Sequence, residues 1–401
     1  MLNSIKKAGI STVYNYLEKD PEKNLPKLME WVDRFAGDGP NSFPKQREVI
    51  RKVVNDPESN WYQLIVRLLK ETDKDVLKTI FTNFFLNGNL IGWKTQQEYR
   101  DKYNCNIPWA ILLDPTSACN LHCTGCWAAE YGNRLNLSLE EIDSIITQGK
   151  EMGVYTYIYT GGEPLVRKKD LITLCEKHND CVFLSFTNAT LIDEDFAKEM
   201  LRVKNFIPAI SVEGDEASHD GRRGEGSFDK VVRAMNILKE NRLPFGISCC
   251  YTSQNLERIS SEEFYDQMIA WGAAFGGTST ICPWATTPPP TCCPPRSSGS
   301  SCTTRSAVSA RPRPCSAWTS RTTASTWAAA SRAAAGTCTS TPTATWIPAC
   351  SSTTPTATSG KRACWSACAP RCSWPTTTAS PSMRTTCARA PCWRTRRSCA
   401  P

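Results

Sequence analysis

Three cysteines, Cys119, Cys123 and Cys126, fall within eight residues of the stretch DPTSACNLHCTGCWAAEYG, spaced C-x3-C-x2-C. Thiolates are soft ligands that suit zinc and iron–sulfur clusters. Structural zinc sites take four ligands, commonly from C-x2-C pairs, and no fourth cysteine lies near this loop. A cubane of four irons on three cysteines leaves one iron open, and an open coordination position is where a substrate binds. A zinc or iron–sulfur site with a structural or sensing role is the alternative. Cys105, Cys175, Cys181, Cys249 and Cys250 are scattered and are expected to be ordinary core or surface thiols.

Other signals lie downstream. In TGGEP, two glycines, Gly161 and Gly162, let the backbone approach a ligand closely, and Pro164 stiffens the exit past Glu163. In AISVEGD, Ser211 and Glu213 stand two apart and face the same way along a strand. Asn188 in SFTNAT is a weaker candidate. In HDGRRGEGSFDKV, Asp220 and Arg223 serve either a site or only the loop.

These residues need elements to hold them. Residues 1–104 place apolar side chains three and four apart, as in NLPKLMEWVDRFA, and are expected to be a helical N-terminal region. That region packs on the strand-bearing core after it or serves a substrate or membrane surface. From Trp109 short strands alternate with helices. WAILLD, VYTYIYT, VFLSFTN, FIPAISVEG and FGISCCYT read as strands. SLEEIDSIITQGKEMG reads as a helix opened by a capping box, Ser138 with Glu141, and closed at Gly153. Alternation at this length implies an α/β fold with a parallel sheet, part of a (β/α) barrel, whose sites lie at the C-terminal strand ends. Each polar signal comes just after a strand: the cysteine loop, GGEP, TN, EG and YTSQN, in that order.

The cysteine spacing, its place after the first strand and GGEP after the second resemble the radical S-adenosylmethionine (SAM) enzymes, over roughly Ile107 to Phe275. The resemblance implies a [4Fe–4S] cluster on Cys119, Cys123 and Cys126, with the open iron chelated by the amino and carboxylate groups of SAM. It implies reductive cleavage of SAM to a 5′-deoxyadenosyl radical that takes hydrogen from a substrate. It also implies SAM contacts at Gly161, Gly162, Glu163 and Pro164, and at Ser211 and Glu213. No protein side chain is assigned as catalytic. Many members carry an aromatic residue before the third cysteine; here that residue is Gly125, and Trp127 follows the cysteine. The expected substrate is a peptide or a lipid, and the expected reductant a flavodoxin or ferredoxin.

Composition divides the chain. From Phe275 to Pro401 there is no Asp, Glu, Asn, Gln, Leu, Tyr or His, while thirteen of the 21 cysteines and seven of the 13 tryptophans lie there. Thirteen arginines and one lysine give this tail a charge of +14. The chain's +8 therefore leaves −6 on the first 274 residues, so the basic total does not argue for a nucleic-acid partner. So few aliphatic side chains cannot bury a core, and a disordered tail is expected. Translation in a shifted frame accounts for the composition. Restoring one lost base permits GWYFHYMPVGNDA in place of GGTSTICPWATTP, and GCIAGG and INANGDVDPC further on. The latter resemble the cysteine-bearing SPASM or twitch extension of the same family. The expected organisation is a helical region at 1–104, a five-strand core at 105–274 and an out-of-frame tail at 275–401. The first residues lack the apolar run of a signal peptide, and no stretch has the length and apolarity of a transmembrane segment, so a cytoplasmic location is expected.

Overall fold

Apolar residues on both faces of five short runs place those runs inside a parallel sheet covered by helices. The computed structural model describes residues 12–36, 44–126, 128, 132–280, 316–319, 337–340 and 346–348. Strands β1 (Ala110–Thr116), β2 (Thr156–Gly161), β3 (Val182–Thr187), β4 (Phe206–Ser211), β5 (Gly246–Tyr251) and β6 (Phe275–Thr280) lie side by side in chain order. All five pairings among them are parallel. This sequential parallel array is the open partial barrel expected from the alternation, with one strand more than the five read from sequence.

Helices cross over between the strands: α1 (Leu139–Glu151), α2 (Lys168–Lys177), α3 (Glu194–Val203), α4 (Glu216–Arg223), α5 (Ser227–Glu240) and α6 (Glu262–Trp271). The capping box of α1 forms as expected, with Glu141 N–H on Ser138 Oγ and Ser138 N–H on Glu141 Oε2. The helices bury one face of each strand. Ile111 and Leu113, Tyr157 and Tyr159, Phe183, Ile210 and Ile247 pack into one core with Ile142, Leu171, Phe196, Met235 and Phe264. Cys175, Cys181 and Cys249 are buried in that core, as ordinary thiols. The alternate strand positions, including Leu112, Asp114, Ile158, Ser211 and Cys250, face the concave side.

The sixth strand is a correction to the five-strand core expected from sequence, which leaves the edge beyond β5 bare. Six residue pairs join β5 to β6, from Gly246↔Phe275 to Tyr251↔Thr280. Ladder hydrogen bonds come from the backbone, so a glycine-rich strand can complete an edge that β5 leaves open. The Phe275 ring covers Gly246 so closely that a Cβ there would lie 2.1 Å from it. Three further short strands are described: Ser316–Thr319 parallel to β6, Thr337–Ser340 parallel to β1, and Trp346–Pro348 antiparallel to the latter. The other residues expected to form a disordered tail lie outside the described residues.

The N-terminal region is helical, as expected. Helices Pro21–Ala36, Pro44–Val54 and Asn60–Glu71 bury Leu25, Met29, Val54, Tyr62 and Val66 among themselves. Helical residues Lys74–Tyr103 include a π-helical stretch, Thr82–Gly92. Their inward face carries amides: Asn83 Nδ2 donates to the carbonyls of Asn179 and Cys181, Asn87 Nδ2 to that of Asp180, and Gln96 Nε2 to that of Gly153. These carbonyls precede β3 and β2, so the region caps the N-terminal ends of the strands. The opposite end, where the cysteine loop emerges, is left to the site. Among the described residues no helix is long and apolar enough to cross a membrane.

Candidate functional site

β1 ends at Thr116, and the cysteine loop leaves from its C-terminal end. The loop is closed at its base: Ser117 N–H donates to Leu135 O (2.8 Å) and Leu137 N–H to Pro115 O (3.1 Å). Arg167 adds Nη1 to the carbonyls of Pro115 (2.9 Å) and Leu137. Cys119, Cys123 and Cys126 are free and half-buried. Gly125 takes φ +69°, in the left-handed region, within the turn that joins Cys126 N–H to Cys123 O at 3.2 Å. That turn accounts for glycine where an aromatic residue is common, since a side chain would be strained there. Trp127 lies outside the described residues.

The GGEP turn locks against this loop. Gly162 N–H donates to Thr116 O (2.9 Å) and Glu163 N–H to Ala118 O (2.8 Å). A Cβ at Gly162 would lie 2.2 Å from Ala118 O and 2.6 Å from Ser117 O. Gly161 has φ +105°, and a Cβ there would meet Thr116 O at 2.7 Å. Both glycines are therefore required by the approach of β2 to the start of the cysteine loop. Gly162→Ala is expected to cost about 1–3 kcal/mol and to displace Cys119. Urea unfolding and the iron retained after anaerobic reconstitution would both register the change, and an unaltered protein would refute it.

Glu163 is fully buried. Its Oε1 accepts from Thr187 Oγ1 (2.7 Å) and Leu165 N–H (2.9 Å), and its Oε2 from Asn188 N–H (2.7 Å). Burial pushes its pKa up despite these donors. Glu163 thus ties the end of β2 to the end of β3. Asn188 continues the tie, with Nδ2 on Asn120 Oδ1 (2.8 Å) and 4.0 Å from Cys119 Sγ. Pro164 is buried at the start of a short 3-10 turn.

Ser211 ends β4, half-buried, and Glu213 lies two residues beyond, fully buried. Glu213 Oε1 accepts from Arg222 Nη1 (2.5 Å) and from Arg223 Nε (2.8 Å) and Nη2 (2.5 Å); Oε2 accepts from Cys250 N–H (2.9 Å). Burial would raise its pKa, but Arg222 and Arg223 outweigh burial and hold the carboxylate below its usual range. Arg223 Nη1 reaches Cys123 Sγ at 3.8 Å, and Thr124 N–H donates to Arg222 O at 2.8 Å. Burial pushes the Cys119 and Cys123 thiols up, with Arg223 and Arg222 partly opposing it at Cys123. Asp220 accepts from Gly226 N–H, Phe228 N–H and Ser227 Oγ, and so shapes the loop between α4 and α5.

Some of this is invisible in the motifs. The pairing of Arg222 and Arg223 with Glu213, nine and ten residues away, and of Thr187 and Asn188 with Glu163 is written in no motif. Asp114 carries no motif signal either. It is buried near the end of β1, its Oδ1 has no hydrogen-bond partner among the described residues, and burial raises its pKa to about 7. In the unfolded chain an aspartate titrates near 4, so between about pH 4 and 7 the unfolded state ionises first. Rising pH therefore removes stability until about 7. Asp114→Asn should raise the urea midpoint by an amount that grows across that window and then levels off. A gap independent of pH would contradict this.

The donor set fits a metal–thiolate centre: three free thiols in one loop, with two guanidinium groups against a single carboxylate beside them. Among the described residues no three such ligands converge closely enough to hold one metal ion. Thiolates of a cubane each bind a different iron, so a cluster does not need that convergence.

Residues 113–261 match the model of the Radical SAM superfamily, whose members use a [4Fe–4S] cluster and SAM. The chain is 29% identical over 174 residues to the cysteine-type anaerobic sulfatase-maturating enzyme of Clostridium perfringens, covering 38% of this chain and 47% of that one. It is 31% identical over 182 residues to the mycofactocin maturase MftC of Mycolicibacterium smegmatis, covering 44% of each. The chain thus spans less than half the length of these two curated relatives. Streptococcus suis SuiB bound to its precursor peptide SuiA has a similar fold, with TM-score 0.52, 16% identity, and coverage of 72% of this chain and 76% of that one.

Proposed function

Because residues 113–261 form a radical SAM domain, we propose that this chain is an enzyme that holds a [4Fe–4S] cluster on Cys119, Cys123 and Cys126 and cleaves SAM reductively. The observation that carries the reading is the GGEP turn packed directly against the loop of three free, half-buried thiols. When bound, the cluster and SAM together supply a 5′-deoxyadenosyl radical for hydrogen abstraction. The protein's part is to orient and exclude water. Gly161 and Gly162 bring backbone beside the cluster loop. Glu163 and Pro164 fix that edge, and Ser211 with Glu213 bounds the site from β4. The substrate is a peptide, as SuiB binds the precursor peptide SuiA, or a lipid reached through the N-terminal helical region. A flavodoxin or ferredoxin serves as reductant.

Anaerobic reconstitution with iron and sulfide, then dithionite and SAM, tests this. An open-iron cluster should release 5′-deoxyadenosine. A closed structural or sensing site, of zinc or iron–sulfur type, should not, and that result would replace the enzyme reading. We also take residues 275–401 to be encoded out of frame, on the break in composition after Ala274. Full activity would then need the restored C-terminus. Resequencing the codons for Ala274 to Thr280 decides it, since an intact frame ends the idea.

A further inference from the structure

We propose that Arg222, Arg223 and Glu213 form a buried counter-charge for the metal–thiolate centre, with Arg223 a positioning residue that raises its reduction potential. The inference rests on the cluster assignment above. Glu213 occupies a place that the family resemblance assigns to SAM. Yet its Oε1 accepts three N–H groups from two arginines, and its Oε2 is held by Cys250 N–H at 2.9 Å. The carboxylate therefore acts first as an ionic strut between α4 and β5.

Charge in the strut does not balance. Two guanidinium groups, with side chains 14% and 12% exposed, meet one carboxylate that is 0% exposed. One positive charge is left over in a buried place, which is unfavourable unless an anion lies near. Arg222 Nε is buried with no partner among the described residues. The surplus faces the cysteine loop: Arg223 Nη1 lies 3.8 Å from Cys123 Sγ, and Thr124 N–H is held by Arg222 O. Three thiolates make a cubane centre anionic in both oxidation states, more so when reduced. A fixed cation and an N–H donor at one thiolate favour the reduced state, because net charge and hydrogen bonds to sulfur set the potential. The planar fork of Arg reaches Glu213 and Cys123 at once, which the single ammonium of Lys cannot do.

The test compares the reconstituted wild-type chain with Arg223→Gln, Arg223→Lys and Glu213→Gln, by iron content and EPR-monitored redox titration. Absence of a cluster in the wild type would remove the cluster assignment itself. With a cluster present, Arg223→Gln should lower the ratio of reduced to oxidised centre about tenfold at the wild-type midpoint, a shift of about 59 mV. Arg223→Lys should shift it less. Glu213→Gln removes a negative charge and should move the midpoint the opposite way. A packing role alone gives no reason for opposite signs. Unshifted midpoints at full iron content, or the same sign for Arg223→Gln and Glu213→Gln, would overturn the proposal. Should Arg223→Gln not fold, a midpoint for Arg223→Lys at or above that of the wild type would overturn it as well.

Discussion

Cys123→Ala is expected to abolish SAM cleavage and to leave the reconstituted chain with little bound iron. Cys123 is the middle of the three cysteines proposed to hold the cluster, and it stands in the turn closed by Cys126 N–H and Gly125. Its loss leaves two thiols for a centre that needs three, and no other sulfur replaces it from the loop. Cys105→Ala is the control: Cys105 precedes β1, at the other end of the strand from the loop, and should retain iron and activity. Iron and sulfide analysis with chromatography of 5′-deoxyadenosine reads both. A Cys123→Ala chain with full iron and turnover would exclude this thiol as a ligand.

Glu213→Ala should cost about 3–5 kcal/mol of stability at neutral pH, because it leaves two buried cations without their carboxylate. It also strips the acceptor from Cys250 N–H. The loss has a pH signature. Glu213 is held below its ordinary range, so its contribution is complete above the unfolded glutamate value of about 4.3 and disappears as pH falls through the folded value. Wild type and variant should therefore converge in acid and separate on return to neutrality. Urea unfolding of the metal-free protein at several pH values measures this. A loss below about 1 kcal/mol at pH 7, far under the buried-pair range, would mean that the arginines find water instead.

Much of the core could be read without coordinates. Alternating apolar runs located β1 to β5, because burial on both faces leaves a local trace. The cysteine spacing and GGEP were legible because each lies within a few consecutive residues. β6 was hidden, since Phe275–Thr280 has the composition of the tail and owes its place to the backbone edge of β5. Glu213 was legible as a residue of interest and not in its role. Its arginines lie nine and ten residues further along, in a segment without periodicity.

The sequence by itself determined the three-cysteine motif, the order of β1 to β5 and their helices, and the end of the sheet where the motifs gather. These depend on near neighbours and on the period of hydrophobicity. Only the tertiary structure decided that Glu163 clasps β3, that Glu213 neutralises one of two arginines, and that Asp114 is buried with an oxygen that has no partner among the described residues. Burial and charge pairing depend on what surrounds a group in space. Chain neighbours do not report that environment when the partners come from different strands.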